Sequence, residues 1–225
     1  MSEVRSSDLE RGLSSSDDRV ILEATSPSTP YKAWNISCSL TGKDKQGIKD
    51  RFQFPDLVKI RIPSDEERAC HSYADEVCFY EANFTSGLCF PVHPFVRELF
   101  FSLHLALAQL VPNFWQIIIS CIVVWMSAND GDVIRRDEFL HFYRLRKLKD
   151  PSYYEFKPWD RASRLIPDYL SSLQNWKPNF FFVSGSGWEF IPGEDLDKAP
   201  KFICSWGVPV SGASFSSFYC FSFLL

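Results

Sequence analysis

The amino-acid sequence predicts an α+β fold, helix-rich, in which a compact helical core carries a few short strands behind a disordered N-terminal arm. Three observations lead there. Residues 94–110 carry apolar side chains at helical spacing, residues 113–126 are more apolar still with a narrow polar stripe, and Phe180-Phe181-Phe182-Val183 is a short apolar run followed by turn residues, the pattern of a buried strand. With 225 residues, 45% of them hydrophobic and 16% aromatic, the chain can bury one sizeable core, so one globular unit with tails is expected.

Each element has its own reason. Residues 1–30 hold eight serines, six acids, three arginines and no aromatic residue. Such a segment buries too little apolar area to offset its ordering entropy, so it reads as an acidic, serine-rich arm, either an inert linker or a phosphorylated tail. Residues 31–53 bring aromatics back in a basic stretch with Lys43, Lys45, Lys49 and Arg51, an entry segment lying on a domain that spans residues 54–206. In the first helix, 94–110, Arg97, Glu98, Ser102, His104 and Gln109 fall within one half of the wheel, Pro94 suits the first turn and Pro112 stops the run. In the second, Asn113, Gln116, Ser120 and Ser127 line up as the polar stripe of a central, mostly buried helix.

After the turn Ala128-Asn129-Asp130-Gly131-Asp132, the acids Asp137 and Glu138 precede Phe139, Leu140 and Tyr143 in a third helix, placing carboxylates at its positive end. The far half of that helix is basic, with Arg144, Arg146, Lys147 and Lys149. Residues 153–156 read as a short strand and residues 161–173 as a short helix interrupted by Pro167. Residues 180–183 form the buried strand, with Ser184-Gly185-Ser186-Gly187 as the turn after it. Residues 207–225 carry no charge and no clear period. They read as a truncated end or translated intron, with an aromatic strand or a short anchor as the alternatives.

One block resembles a known family. Residues 79–125 read FYEANFTSGLCFPVHPFVRELFFSLHLALAQLVPNFWQIIISCIVVW. With Lys59-Ile60-Arg61-Ile62-Pro63 and Glu66-Glu67-Arg68-Ala69-Cys70 before it, and Gln174-Asn175-Trp176-Lys177 leading into Phe180 after it, the block resembles the gypsy-type transposon domain of plants. The resemblance departs from the family pattern at Cys89, where a basic residue is expected. It implies an origin in a transposable element and carries no catalytic residue with it.

The chemistry of the residues excludes more than it assigns. A net charge of −4 argues against a surface that binds nucleic acid all over, since phosphate neutralisation needs clustered Lys and Arg. Seven cysteines at irregular spacing fit a reducing compartment, nucleus or cytoplasm, rather than a disulfide framework. Both sequons, at Asn35 and Asn83, then read as chance matches. Cys70, His71, Cys78, Cys89 and His93 fall in one region, but only Cys89 and His93 have a ligand-like separation, so neither metal nor cofactor is expected. Buried thiols are the ordinary reading. His93 is read as a helix-start residue capped by local backbone rather than as the partner of a Cys89 nucleophile.

Asp130 and Asp132 sit in a turn with no strand to present a two-metal pair, and no Asp-Thr/Ser-Gly, paired-Asp hairpin or Gly-x-Ser-x-Gly elbow occurs. Thr41-Gly42-Lys43 lacks the upstream glycine of a phosphate loop, and residues 129–138 misplace the glycine and acids of a calcium loop. Trp115, Trp125, Trp159, Trp176 and Trp188 could stack bases, but at this apolar content they read as core.

The function expected is therefore that of a noncatalytic interaction or assembly module of gag-like character that self-associates. Gly87, Pro91, Pro94, Pro112 and Asn113 would set its turns, and Phe95, Leu99, Leu110, Trp115, Trp125 and Trp176 would form its core. A competing reading is a nucleic-acid-binding module that uses Arg135, Arg136, Arg144, Arg146, Lys147 and Lys149 on one basic helix, 135–149. A third is membrane association through residues 99–126. Residues 99–129 hold no formally charged side chain, although Pro112 divides them into arms that each fall short of the roughly 20 residues a spanning helix needs.

Overall fold

A computed structural model describes residues 31–71, 73–160, 165–166 and 173–210. Along the chain run α1 (Asp44–Arg51), β1 (Val58–Arg61), β2 (Val77–Tyr80), α2 (Glu81–Thr85), α3 (Pro94–Ser102), α4 (Phe114–Ala128), α5 (Arg136–Phe142), β3 (Tyr143–Lys147), β4 (Tyr154–Pro158) and β5 (Phe180–Gly185). Single 3-10 turns occupy Lys32–Asn35 and Leu107–Gln109. Helices and antiparallel strands are mixed. The expected arm 1–30, most of the 161–173 helix and residues 211–225 lie outside the described residues.

β5 forms the middle of a three-stranded antiparallel sheet, with β1 on one side and β2 on the other. Ile60 and Val77 both face Val183, while Phe79 lies opposite Phe181 and Cys78 opposite Phe182. The alternation of a strand sends Phe181 and Val183 into the larger core with Val58, Ile60, Val77 and Phe79. Phe180 and Phe182 go to a second core with Tyr73, Cys78, Tyr80 and Trp176. A strand covered on both faces must be apolar throughout, which is why Phe180-Phe181-Phe182-Val183 shows no alternation. Gly185 closes the strand at φ 89, where an added Cβ would meet the Leu57 carbonyl oxygen at 2.6 Å.

Arg61 pins β1 to the second face. Its guanidinium lies 4.7 Å from the Phe182 ring and 4.9 Å from the Tyr73 ring. It donates to both carboxylate oxygens of buried Glu76, at 2.6 to 2.9 Å, and to Glu67 at 2.8 Å. Burial works against ionisation of Glu67, but bonds from Arg61, the Tyr73 hydroxyl and the Ser64 N–H take its carboxyl down to about 2. A buried carboxylate is tolerable only when paired in this way.

α3 starts as the sequence predicts, with Pro94 in its first turn and His93 as its N-cap, but it ends eight residues before Leu110. His104 adopts φ 50. Its N–H donates to Phe101 O at 3.1 Å, and the N–H of Leu105 donates to Phe100 O at 3.1 Å, the bond pair of a Schellman stop with histidine where glycine is usual. The break thus falls at residues 103–104 rather than at Pro112. α4 follows, and Phe100 of α3 stacks on its Trp115 at 5.3 Å.

One expectation for these helices is corrected. α4 is not mostly buried: Trp115, Ile118, Cys121, Ile122 and Trp125 face the core, but Val123, Val124 and Met126 are exposed. On the polar half of the 94–110 wheel Glu98 and His104 are exposed, whereas residues 188–207 fold back over Arg97 and Gln109. Arg97, 1% exposed, donates to Glu189 O and pairs with Glu194 beneath the Phe190 ring. Gln109 is fully buried and its Nε2 donates to Gly207 O at 2.9 Å. No helix among the described residues is long and apolar enough to cross a membrane.

The basic helix 135–149 is also corrected. α5 ends at Phe142, and Tyr143–Lys147 is strand β3, paired with β4. Tyr143 and Leu145 turn inward, where Tyr143 stacks on Phe139 at 5.2 Å and Phe156 meets Phe139 edge-on at 5.0 Å. These contacts demand a period of two, and they override the charge pattern that suggested a helix.

Candidate functional site

The residues expected to set turns do so in distinct ways. Gly87 takes φ 100, the Phe90–Pro91 bond is cis, and Pro112 and Asn113 lead into α4 without a side-chain cap. Phe95, Leu99, Leu110, Trp115, Trp125 and Trp176 are all buried. Trp176 sits edge-on to Tyr80 at 4.6 Å and to Tyr153 at 5.1 Å. Trp159 does not join them: it is 51% exposed.

The six candidate nucleic-acid contacts separate into two places. Arg135 and Arg136 stand at the start of α5, where Arg136 pairs with Asp137 at 2.9 Å and Glu138 accepts from the Arg135 N–H at 2.7 Å. Arg144, Arg146, Lys147 and Lys149 belong to the β3–β4 hairpin, and all four are exposed. No one face holds the six together.

Arg135 instead lines a cleft of about 570 Å³ between the start of α3, the middle of α4 and the segment before α5. Leu88, Pro91, Phe95, Ile119, Val133 and Ile191 give it an apolar lining, and Cys89, His93, Glu98 and Arg135 supply its polar groups. Along α4, exposed Val123 and Met126 lie one and two turns beyond Ile119 on the same side, so the apolar lining continues onto an exposed ridge. Val123 alone is 58% exposed. Neither Glu98 nor Arg135 carries an ion pair among the described residues.

His93 Nδ1 accepts the Phe95 N–H at 3.2 Å, so the neutral ring holds its proton on Nε2 and acts there as a donor. Burial, then the charge of Arg97, lowers its pKa. His71 is engaged in the same manner, its Nδ1 accepting from the Arg68 N–H at 3.2 Å. Cys70 and Cys78 are buried and Cys89 is exposed. Burial pushes the Cys70 thiol up to about 11 and holds the Cys78 thiol well above its ordinary range. Among the described residues no three His, Cys, Asp or Glu side chains are grouped to hold a metal. The side chain of Asn83, in the second sequon, is fully buried.

The hairpin offers a second surface. Its register sets Arg144 opposite Lys157 and Arg146 opposite Glu155, with Tyr143, Tyr154 and Phe156 on the covered side. Lys157 and Trp159 carry no signal along the sequence that would join them to Arg144; only the strand pairing does. Comparison of the chain with family models, with curated proteins and with solved structures gives no match.

Proposed function

We propose that this chain is a noncatalytic interaction and assembly module, of the transposable-element-derived kind that residues 79–125 resemble. Its helix-rich α+β frame pairs with a second copy in the nucleus or cytoplasm. The observation that supports this is the apolar cleft running onto the α4 ridge, with one carboxylate and one guanidinium among its lining groups. Contiguous exposed apolar surface marks interaction sites on soluble proteins. In a two-fold pair the same patch meets itself, so Glu98 of each copy faces Arg135 of the other, and each of these groups gains an ion pair that it lacks among the described residues of a single copy. The ridge of Val123 and Met126 carries no charge to desolvate.

Sedimentation velocity over a concentration series tests the pairing. Val123→Asp with Met126→Asp should yield a monomer. Glu98→Arg or Arg135→Glu alone should weaken association, and the two together should restore it. A chain that stays monomeric at every concentration, or a charge swap that fails to recover pairing, refutes the reading.

A further inference from the structure

We propose that the outer face of the β3–β4 hairpin is a binding surface for single-stranded nucleic acid, on which Trp159 stacks a base while Arg144 and Lys157 hold the adjoining phosphates. This stands apart from the pairing of two copies and rests on different residues.

Residues 143–159 hold five cations against two carboxylates within a chain of net charge −4. Both carboxylates are engaged: Glu155 accepts from Arg146 Nε at 2.6 Å, and Asp150 pairs with Lys177 at 2.9 Å. Burial alone would raise the Asp150 carboxyl, but Lys177 and the Ser152 N–H hold it below its ordinary value. Arg144, Lys147, Lys149 and Lys157 have no ion pair among the described residues. The positive charge of the hairpin is therefore directed to solvent.

Trp159 gives that charge an aromatic neighbour. Its Nε1–H donates to Leu140 O at 3.0 Å and its backbone N–H to Phe142 O at 3.1 Å, so the indole is held in place although half its surface faces water. The Arg144 guanidinium stands 5.1 Å from the ring centroid, and Arg144 faces Lys157 across the register. A fixed indole beside two cations matches a base beside its phosphates, the pairing that sequence-tolerant single-strand binders use. An acidic peptide would answer the cations and leave the indole idle. Among residues 143–159 there is no Asn or Gln to read a base edge, so recognition should be indifferent to sequence.

Fluorescence anisotropy with labelled oligothymidylate and oligouridylate, on the whole chain, tests the surface. Neutralisation of two phosphates, by Arg144 and Lys157, predicts a log–log salt slope of about −1.4 for a single strand. Trp159→Leu should weaken binding about ten-fold, on the scale of one lost base stack, whereas Trp159→Phe should retain most of it. Arg144→Gln with Lys157→Gln should bring the slope close to zero, and Lys45→Gln with Lys49→Gln on α1, which removes the same charge, should leave it unchanged. Circular dichroism melts of each variant confirm folding. Glu98→Arg should still bind, which separates failure here from failure of pairing. Absence of binding at low salt overturns the proposal, as does a Trp159→Leu affinity equal to that of the parent. Equal loss in the α1 variant would reduce it to bulk charge. Phosphatidylserine vesicles binding more tightly than the oligonucleotides, with the same dependence on Trp159, would assign the face to a membrane instead.

Discussion

The central sheet and the β3–β4 hairpin each place an arginine over an aromatic ring, and they use it to opposite ends. Arg61 lies 4.7 Å from Phe182, and Arg144 lies 5.1 Å from Trp159. Around Arg61, Glu67 and Glu76 complete the charge and both faces of the sheet are covered. Around Arg144 no carboxylate among the described residues closes the pair, and one face of the hairpin remains in water. An arginine over an aromatic ring is thus structural where acids satisfy it and available where none do. Electrostatic completion, rather than the presence of Arg beside a ring, separates scaffold from surface.

The difference can be broken most forcefully from the sheet. Phe181→Ala should cost about 3–5 kcal/mol, the range for deleting a buried aromatic, measured by urea denaturation. Arg61→Met, which takes the guanidinium away from buried Glu76, should cost about 3 kcal/mol; adding Glu76→Leu should recover much of that loss. Gly185→Ala forces a side chain into a left-handed conformation against the Leu57 carbonyl and should cost about 2 kcal/mol.

Acid should reveal the same cluster. Glu67 is held at about 2 against an ordinary 4.5, so its contribution is full above pH 4.5 and is lost as pH falls toward 2. Denaturation midpoints followed across that window should drop, and Glu67→Gln should flatten the decline. The smallest effect belongs to the hairpin, where Glu155→Gln should change stability by no more than about 0.5 kcal/mol because Arg146 is solvated. Were it to rival Arg61→Met, the contrast between the two regions would disappear.

Much of this architecture is legible in the residues. The strand at Phe180, the strand near Tyr154, the start of α3 at His93-Pro94 and the apolar helix α4 all announce themselves through periodicity and proline placement. The buried Trp115, Trp125 and Trp176 follow from the same pattern. β1 is faintly marked: Val58-Lys59-Ile60-Arg61 alternates, but four residues are a weak signal without the pairing partner β5. The stop at His104 has no local mark, since a left-handed histidine replaces the expected glycine. Residues 144–149 could serve a helix face or a strand, and Phe156, across the hairpin, decides between them. The burial of Arg97 depends on Glu189 and Glu194, more than ninety residues away. Lys157 and Trp159 join Arg144 only through pairing register, which no linear pattern encodes.

β5 fills the slot between β1 and β2, yet it is synthesised about a hundred residues after β2. At translation rates of 5–20 residues per second, the growing chain therefore waits roughly 5–20 s with two strand edges and Phe79 unsheltered. Closing that gap brings together distant parts of the polypeptide, the class of contact that slows folding most. The nascent protein is thus a natural client for chaperones that bind apolar segments, until Phe180 to Val183 emerge from the ribosome and seal the two halves.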